Sequence, residues 1–345
     1  MGVLRGGPSA AYDVSLLSGQ TVLRHLPRER YAVEDIFIDK EGAWHLRGRE
    51  VPAERVFDQI DIVWNMLQGP FGEDGKLQHA FDVHGVRYTG SKALGCALAM
   101  HKTRAKEHVQ STCTQHLSSR AGAHQCHCRF CFGARLTYGS PCLAYAAHIP
   151  LSRNSCDEVA IREILSKLTP PLMVKPTNGT ASLGTEVVSS VEELLYAVMF
   201  AFEHGADVIV EQYVRGREVS VVVVEGFRGV PYYVLPIVEV SPPMGRHYDY
   251  EVKQEGSARH FAPAQFDENV KTLIEDAARH AHRALGLRDY SQSDFIVGRD
   301  GVYYLETNTI PALSPGAPTH HALGAAGVPL PHFLEHIADR ALARK

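Results

Sequence analysis

The run "DFIVGRDGVYYLETN" at residues 294–308 constrains the fold more than any other stretch of this chain. Two apolar segments flank the sequence Arg-Asp-Gly at 299–301. A three-residue connection with glycine in the left-handed position is typical of a β-hairpin. This register predicts that Gly298 lies opposite Val302, and it fixes which side chains share a face farther along the two strands.

Three oxygen-bearing side chains share one face of the predicted hairpin. The register places Asp294 opposite Glu306, and Asn308 joins them because alternate side chains of a strand point to the same side. Opposed carboxylates repel unless a cation lies between them. An all-oxygen set suits Mg²⁺ (or Mn²⁺) together with waters and phosphate oxygens. A solvated hairpin face with incidental acids remains the alternative, which the apolar flanks disfavour: Phe295, Val297, Tyr304 and Leu305.

The first hundred residues alternate strand and helix signals. "YAVEDIFID" and "IDIVWNML" are predicted strands, the second leading into the glycine-rich loop "QGPFGEDG". A helix with Asp13 or Ser15 as its N-terminal cap is predicted between the first apolar segment, near residue 3, and the strand "YAVEDIFID". Strands followed by glycine loops and helices predict a parallel α/β sheet with ligands at the carboxyl ends of its strands.

Two further segments carry candidate binding residues. In "MVKPTNGTASLGT", Lys175 ends a strand before a loop rich in glycine and hydroxyl groups, a combination that can cradle phosphate. The loop lacks the Gly-Lys-Ser/Thr order of a Walker A motif. In "VIVEQYVRGREVSV", Glu211 ends one strand and Glu218 begins the next. An ordinary hairpin with charged ends remains the alternative for this pair.

Composition excludes several classes of protein. A chain of 345 residues can form two or three domains. The net charge is −4 and the basic residues are spread out, so no nucleic-acid partner is expected. The chain contains no apolar run of about 18 residues, so no membrane span is predicted. The N-terminus lacks the apolar region of a signal peptide. A cytoplasmic protein is therefore expected, with its seven cysteines as reduced thiols or metal ligands.

Regular patterning stops between residues 111 and 155, a segment that holds five of the seven cysteines. It includes a conceivable zinc-binding set: His124, Cys126, Cys128 and Cys131. The spacing does not fit an ordinary two-by-two zinc knuckle. A reading frame that was shifted and later restored, or simple divergence of a loop-rich region, would also account for the lost periodicity. The three interpretations remain open.

Taken in order, the motifs resemble the D-alanine–D-alanine ligase family of the ATP-grasp superfamily. The resemblance rests on "GGPSAAYDVSLLSG", "NMLQGPFGEDGKLQ", "YTGSKALGCALAMHKTRAK", the lysine strand, "EQYVRGREVSV", "YDYEVK" and "LETNTIP", and it leaves out only 111–155. It implies an α/β fold of the ATP-grasp type, in which two α+β lobes clasp ATP. The implied domains are an N-terminal parallel α/β domain at 1–96, a central lobe at 97–210 and a C-terminal lobe at 211–345 that carries the metal site.

The family implies a cytoplasmic, homodimeric enzyme that joins two amino acids through an acyl phosphate, most simply two D-alanines for peptidoglycan synthesis. ATP is the co-substrate and two Mg²⁺ ions assist. The implied phosphate-binding lysines are Lys106 and Lys175. The implied adenosine contacts are Glu211, Gln212, Val214 and, on the ribose, Glu218. The implied metal ligands are Asp294, Glu306 and Asn308. Lys253 lies in a closing loop and also contacts phosphate, Ser182 contacts nucleotide and substrate, and Asp13 and Gln292 complete the implied catalytic set.

The substrate side departs from the family pattern. Gln292 stands where the family has an arginine that holds the tetrahedral oxyanion, and Asp13 shortens a glutamate that orients the first substrate's amino group. Other replaced positions are Gln68, Ala181, Gln254, Ala312 and Ala317. Losing one oxyanion donor typically costs about 10²–10³ in rate. The alternative function is therefore an ATP-binding homologue whose ligase activity is weakened, lost or redirected to other substrates.

Overall fold

The computed structural model describes residues 1–118, 143–180 and 182–344, which form three β-sheets with helices packed between and around them. The candidate zinc residues and Ala181 lie outside the described residues. Elements are numbered in chain order among those described. No helix in this part of the chain combines the length and the apolar character needed to cross a membrane.

The first sheet has six strands in the order β4-β3-β2-β1-β5-β6. Its strands are β1 Gly2–Gly6, β2 Glu34–Ile38, β3 Trp44–Leu46, β4 Arg49–Glu50, β5 Ile62–Asn65 and β6 Arg87–Tyr88. The pairs β1–β2, β1–β5 and β5–β6 are parallel, which confirms the predicted parallel sheet. Helices α1 Tyr12–His25, α2 Ala53–Phe57 and α3 Lys76–Val83 connect its strands.

Helix α1 begins differently from the prediction. It starts at Tyr12, and no side chain caps its N-terminus. Asp13 lies exposed in the first turn. The Ser15 hydroxyl donates to the carbonyl of Met66 at 2.7 Å and accepts from the Gly6 N–H at 2.9 Å. The prediction that Asp13 or Ser15 caps this helix is therefore wrong, because Ser15 instead links Gly6, the last residue of β1, to Met66, which follows β5.

The second sheet has four strands in the order β7-β10-β8-β9, and all of its pairs are antiparallel. Its strands are β7 His148–Ser152, β8 Leu172–Pro176, β9 Glu186–Val188 and β10 Asp207–Gln212, and its helices are α6 Glu158–Lys167 and α7 Val191–His204. The Ser190 hydroxyl accepts from the Glu193 N–H at 3.1 Å, which confirms the predicted cap of α7. The Glu193 carboxylate accepts in return from the N–H of Ser189.

The third sheet is antiparallel, in the order β14-β13-β11-β15-β16 with β12 also paired to β11. Its strands are β11 Arg217–Glu225, β12 Tyr232–Val234, β13 Val238–Ser241, β14 Arg259–Phe261, β15 Tyr290–Val297 and β16 Val302–Asn308. The remaining helices are α4 Ala93–Met100, α5 Lys102–Ser118, α8 Tyr250–Glu255, α9 Glu268–Ala284, α10 Pro318–Ala325 and α11 Leu330–Leu342. Single 3₁₀ turns occur at Arg153–Ser155 and Phe227–Gly229.

The turn between β15 and β16 is not the one predicted. Val297 pairs with Val302, and the N–H of Gly298 donates to the carbonyl of Gly301 at 3.0 Å. The predicted three-residue turn, with Gly298 opposite Val302, is therefore wrong by one position.

The predicted pairing of the two acids is nevertheless confirmed. Asp294 lies opposite Glu306, because the register shifts by one residue between Asp294 and Phe295. Phe295 pairs with Tyr304, and both are buried in the core shared by the third sheet and α9. The β-bulge lets these aromatic rings face the core while Glu306 faces the opposite acid.

The cores join segments that are distant in the chain. Ala99, Ala105 and Val109 of α4 and α5 pack with the third sheet and α9, although the sequence prediction assigned residues 97–210 to the central lobe. Residues of α11 pack with Val3 and Trp64 of the first sheet. The boundaries proposed from the sequence stay predictions, but this packing shows that α5 enters the C-terminal core.

Candidate active site

A cleft of about 650 Å³ lies between the second and third sheets. Its walls come from the loop after β8, the end of β10, the start of β11, the hairpin of β15 and β16, and the segment around α8. Many of the residues singled out in the sequence line it: Lys175, Ser182, Glu211, Gln212, Val214, Glu218, Lys253, Asp294 and Glu306. Segments far apart in the chain thus converge on one site.

A buried carboxylate at the end of β10 is shared by two lysines. The two oxygens of Glu211 pair with the ammonium groups of Lys106 and Lys175. Burial alone would raise the pKa of Glu211, but the two ammonium charges outweigh it and lower that pKa below its ordinary value. Two positive charges against one negative charge leave a net positive site beside the cleft.

Lys106 does not line the cleft. Its side chain is 0 % exposed and its ammonium lies behind Glu211. The cleft-facing lysine of helix α5 is Lys102, whose Nζ lies 2.9 Å from Glu306 Oε2 and donates to the Gly179 carbonyl at 2.8 Å. Sequence reasoning missed Lys102, although it lies four residues before Lys106 and hence on the same helical face.

Three acids gather on the floor of the cleft. Burial and the neighbouring Glu306 charge raise the pKa of Asp294 to about 6. Burial raises the pKa of Glu218 to about 8, with further repulsion from Asp294 and Glu306. Burial would also raise the pKa of Glu306, but Lys102 and Lys253 outweigh it and hold that pKa at about 2. Unfavourable proximity of this kind is typical of acids that bind a cation.

Asp294 receives hydrogen bonds from three side chains. The Ser220 hydroxyl donates to its Oδ1 at 2.6 Å, and Gln292 Nε2 donates to the same oxygen at 3.0 Å. Asn308 Nδ2 donates to the other oxygen, Oδ2, at 3.3 Å. Asn308 lines a small adjoining cavity, and its carbonyl oxygen would turn toward a shared cation only if this amide rotated by half a turn.

The donor set fits a magnesium ion better than a softer metal. Among the residues that the structure describes, no group of three His, Cys, Asp or Glu side chains is arranged to hold a metal. Two carboxylates and an amide oxygen are too few to surround Mg²⁺ alone, but Mg²⁺ commonly keeps waters and phosphate oxygens. The metal role of Asp294, Glu306 and Asn308 stays a prediction that this chemistry supports.

The segment around α8 folds over the cleft. Lys253 Nζ donates to the Ser182 hydroxyl at 2.7 Å and lies 4.6 Å from the centre of the Tyr248 ring. The Asp249 carboxylate caps α8 by accepting from the Val252 N–H at 2.8 Å. A short capped helix thus holds Lys253 against the glycine- and hydroxyl-rich loop, and the closing of this segment over phosphates stays a prediction.

At the predicted adenosine end of the cleft, the Gln212 side chain is already engaged by neighbouring backbone. Gln212 turns its amide away toward the loop before β8, donating to the Thr169 carbonyl at 2.6 Å and accepting from the Thr169 N–H at 3.1 Å. Val214 lines the cleft beside it. Any contribution of Gln212 to a ligand would therefore come from its main chain.

The residues predicted to contact the amino-acid substrates lie in different parts of the fold. Asp13 lies exposed on α1, and Gln68 is buried and donates to the Ile310 carbonyl at 3.3 Å. Ala317 occupies the N-cap position of α10 without a side-chain cap. The Gln292 amide donates to Asp294 and is 8 % exposed, and its role toward a substrate oxyanion stays a prediction.

Glu73 is a buried residue that sequence reasoning missed. Its carboxylate accepts from the N–H groups of Gly69, Thr309 and Ile310. Burial raises its pKa despite these donors. It ties the glycine loop of the first sheet to the segment after β16. Its place inside the glycine-rich loop was the only sequence signal for such a role.

Two family models match the chain. "D-ala D-ala ligase C-terminus" matches residues 137–339, and "D-ala D-ala ligase N-terminus" matches residues 47–91. A D-alanine–D-alanine ligase of Geotalea uraniireducens is 31% identical over 99% of this chain and 95% of its own length. One of Desulforudis audaxviator is 32% identical over 100% and 99%.

Solved structures agree with these relatives. The VanG D-Ala:D-Ser ligase of Enterococcus faecalis has a TM-score of 0.80 at 25% identity, covering 99% of this chain and 98% of that one. A D-alanine–D-alanine ligase of Bacillus anthracis, solved with ATP, has the same fold with a TM-score of 0.73 at 22% identity, covering 99% and 96%.

Fold, site and relatives together define the chain as an ATP-dependent ligase with the ATP-grasp fold, which confirms the predicted fold class and enzyme class. The chain belongs to the D-alanine–D-alanine ligase family.

Proposed function

We propose that this enzyme uses ATP to join two amino acids in the cytoplasm, and that D-alanine is the residue at both positions. The observation that carries the proposal is the convergence of Lys102, Lys175 and Lys253 with the opposed acids Asp294 and Glu306 on one cleft. This arrangement supports phosphoryl transfer, because cations on several sides can neutralise the charge that spreads over the moving phosphoryl group. The product fits a role in peptidoglycan synthesis, and the homodimer implied by the family belongs to the same proposal.

The residues divide the reaction between them. A substrate carboxylate attacks the γ-phosphate of ATP to give an acyl phosphate and ADP. The amine of the second amino acid then attacks the acyl carbon, and phosphate leaves. Lys102 and Lys175 hold phosphate oxygens, with Lys102 taking the role that the sequence suggested for Lys106. Lys253 and Ser182 close the cleft and keep water from the acyl phosphate.

Divalent ions fit the acids of the hairpin. Asp294, Glu306 and, after rotation of its amide, Asn308 would hold Mg²⁺ or Mn²⁺ together with phosphate oxygens. When bound, the ions would neutralise phosphate charge and orient the γ-phosphate. Glu218, which lines the cleft at the start of β11, would face the ribose hydroxyls. Burial raises its pKa to about 8, so its carboxyl could donate as well as accept there.

A second candidate is a ligase with a different second substrate. The observation favouring it is that Ala317 offers no hydroxyl and that the Gln292 amide is already engaged with Asp294. The VanG neighbour is named for D-serine at that position, which makes D-serine the first alternative to test.

The test is a panel of amino acids assayed with ATP and Mg²⁺. Phosphate release is measured with each D- and L-amino acid alone and in pairs with D-alanine, and products are identified by mass spectrometry. D-alanyl-D-alanine as the main product supports the first candidate. A mixed dipeptide supports the second, and no ATP-dependent product from any pair would contradict both.

Glu306→Gln tests the metal role within this function. We expect phosphate release to fall by at least about 100-fold, because a cation-binding charge is lost while the side-chain volume is kept. Glu163→Gln on α6, exposed and paired with Lys167, is the matched control and should retain full activity. Undiminished activity of Glu306→Gln in a folded enzyme would exclude this carboxylate as a metal ligand.

A further inference from the structure

Gln292 lies at the centre of a buried chain of polar side chains. On β15 it is two residues from Asp294 and therefore on the same face. Its Nε2 donates to Asp294 Oδ1 at 3.0 Å and approaches the Ser220 hydroxyl oxygen at 3.4 Å. Its Oε1 accepts from the Thr319 hydroxyl at 3.2 Å. Gln292 is 8 % exposed and Thr319 is 0 % exposed, so little water competes for these bonds.

The chemistry of the partners fixes which way the Gln292 amide points. An ionised Asp294 carboxylate has only acceptors, so the amide must present its NH₂ group to it. The opposite orientation would bring two acceptor oxygens within about 3 Å of each other in a buried site, which is costly. The Thr319 hydroxyl can then donate to the remaining amide oxygen. Every polar atom of the Gln292 amide is engaged in this way.

We propose that Gln292 is a positioning residue that orients the Asp294 carboxylate toward a divalent cation, and that Thr319 in turn holds Gln292. The inference rests on the proposed function, because it concerns the metal site of that reaction. Gln292 and Ser220 both bind Oδ1, so they fix the rotation of the carboxylate and leave Oδ2 facing Asn308. Side chains that hold a metal ligand in place typically contribute about 10–100-fold to metal affinity.

This role differs from that of the oxyanion donor expected at this position. An oxyanion donor acts only on the substrate, so its loss would lower kcat and leave the affinity for metal unchanged. A residue that orients Asp294 acts before substrate arrives, so its loss would weaken metal binding to the enzyme without amino acids. Thr319 separates the two roles further, because it contacts Gln292 and is 0 % exposed, so it has no path to the substrate.

The test is a titration of the nucleotide-free enzyme with Mn²⁺ alone, with free Mn²⁺ followed by electron paramagnetic resonance. Gln292→Met keeps the length of the side chain but removes its donor and acceptor, and Thr319→Val removes only the hydroxyl. We expect Gln292→Met to weaken Mn²⁺ binding by about 10–100-fold and Thr319→Val to weaken it by a smaller factor. The double variant should bind Mn²⁺ no more weakly than Gln292→Met, because both act through one side chain.

Gln59→Met, at an exposed glutamine two residues after α2, is the matched control and should bind Mn²⁺ like the wild type. Circular dichroism and thermal unfolding establish that each variant is folded, and Thr319→Val carries the test if Gln292→Met does not fold. Unchanged Mn²⁺ affinity in a folded Gln292→Met or Thr319→Val enzyme would overturn the inference.

A wild type that makes dipeptide with Mg²⁺ while Gln292→Met loses only kcat would return Gln292 to the oxyanion role and leave the proposed function intact. A wild type that neither binds Mn²⁺ nor makes dipeptide would contradict the proposed function itself.

Discussion

Two lysines on one helical face have different surroundings, and the difference decides what each can do. Lys102 opens onto the cleft beside Glu306, whereas Lys106 is buried against Glu211. Glu211 also pairs with Lys175 of β8. With Lys106 present, the Glu211 charge is already neutralised, so Lys175 keeps its positive charge available for a phosphate group.

Lys106→Met should therefore weaken the binding of nucleotide phosphates without removing a direct contact. Glu211 would depend on Lys175 alone for neutralisation, and less positive potential would face the cleft. We expect the affinity for ADP to fall about 10-fold, which corresponds to about 1.4 kcal/mol, while the affinity for adenosine stays the same. Isothermal titration calorimetry measures both.

Lys167→Met, an exposed lysine on α6, is the matched control for loss of one positive charge. Equal losses of ADP and adenosine affinity in Lys106→Met would mean that the adenosine end of the cleft had been distorted. Unchanged ADP affinity would show that Lys175 binds phosphate equally well without Lys106.

Sequence reasoning singled out the acids that line the cleft but not Lys102, the lysine of α5 that lines it with them. Lys102 and Lys106 lie four residues apart, so helical periodicity assigns both to one face and cannot separate them. The distinction depends on Glu211, which is 105 residues from Lys106 in the chain. A contact between segments so far apart is not encoded in any local pattern.

At the scale of secondary structure, the hairpin shows how a correct prediction can rest on a wrong turn. The connection differs from the predicted one by one position, and the bulge before Phe295 compensates for the difference. The alternation of side chains along each strand strongly specifies which residues face the core when one face is buried. Phe295 and Tyr304 are both wholly buried there. Alternation does not specify where an extra residue is accommodated. The face of the acids was therefore predictable, whereas the turn and the bulge were not.

Helix α7 offers an element-scale prediction, because its start was anticipated from sequence. The Ser190 hydroxyl accepts from the Glu193 N–H at 3.1 Å and satisfies a donor that the helix leaves unpaired. Ser190→Ala should lower the free energy of unfolding by about 1 kcal/mol. Urea denaturation followed by circular dichroism measures the change, and ligase activity at 25 °C should be unaffected, because Ser190 does not line the cleft.

Ser189→Ala is the matched control one residue earlier. Ser189 contributes its backbone N–H to the Glu193 carboxylate, and an alanine keeps that N–H. Its unfolding curve should overlay that of the wild type. An equal loss of stability in both variants would argue that solvation of the loop, and not the cap, stabilises this end of the helix.

At the scale of the whole molecule, the C-terminal helix α11 joins the first and third sheets. Phe333 and Ile337 share a core with Val3 of the first sheet and with Val222 of the third. The parallel sheet and the hairpins were predictable, because their patterns are local. The packing of the C-terminal helix against the N-terminal sheet was not predictable. Amphipathic periodicity shows that α11 buries one face, but it does not show which residues cover that face.

Glu225 at the end of β11 is part of this joint. Its Oε2 accepts from the Asp289 N–H at 3.0 Å and pairs with Arg340 of α11. His282 of α9 lies near its other oxygen, with Nε2 at 3.6 Å. Burial alone would raise the pKa of Glu225, but the interactions with His282, the Asp289 N–H and Arg340 outweigh it and lower that pKa to about 2 from its ordinary 4.5.

The stability of the joint should therefore depend on pH in a window that Glu225 sets. A carboxyl whose pKa is lower in the folded than in the unfolded state stabilises the fold above its unfolded pKa, here about 4.5. That contribution is lost as the pH falls from about 4.5 toward about 2.

Glu225→Gln should lower the free energy of unfolding by about 1–2 kcal/mol at pH 7, because Arg340 loses its partner and is only partly exposed. The difference from wild type should shrink as the pH falls below about 4.5, where the wild-type carboxyl begins to be protonated in the unfolded state. Urea denaturation at pH 7, 5, 4 and 3.5 measures both curves, with the exposed Glu203→Gln of α7 as the control that should follow the wild type throughout. Wild-type and Glu225→Gln curves that stay parallel from pH 7 to pH 3.5 would mean that the charge of Glu225 does not stabilise the joint.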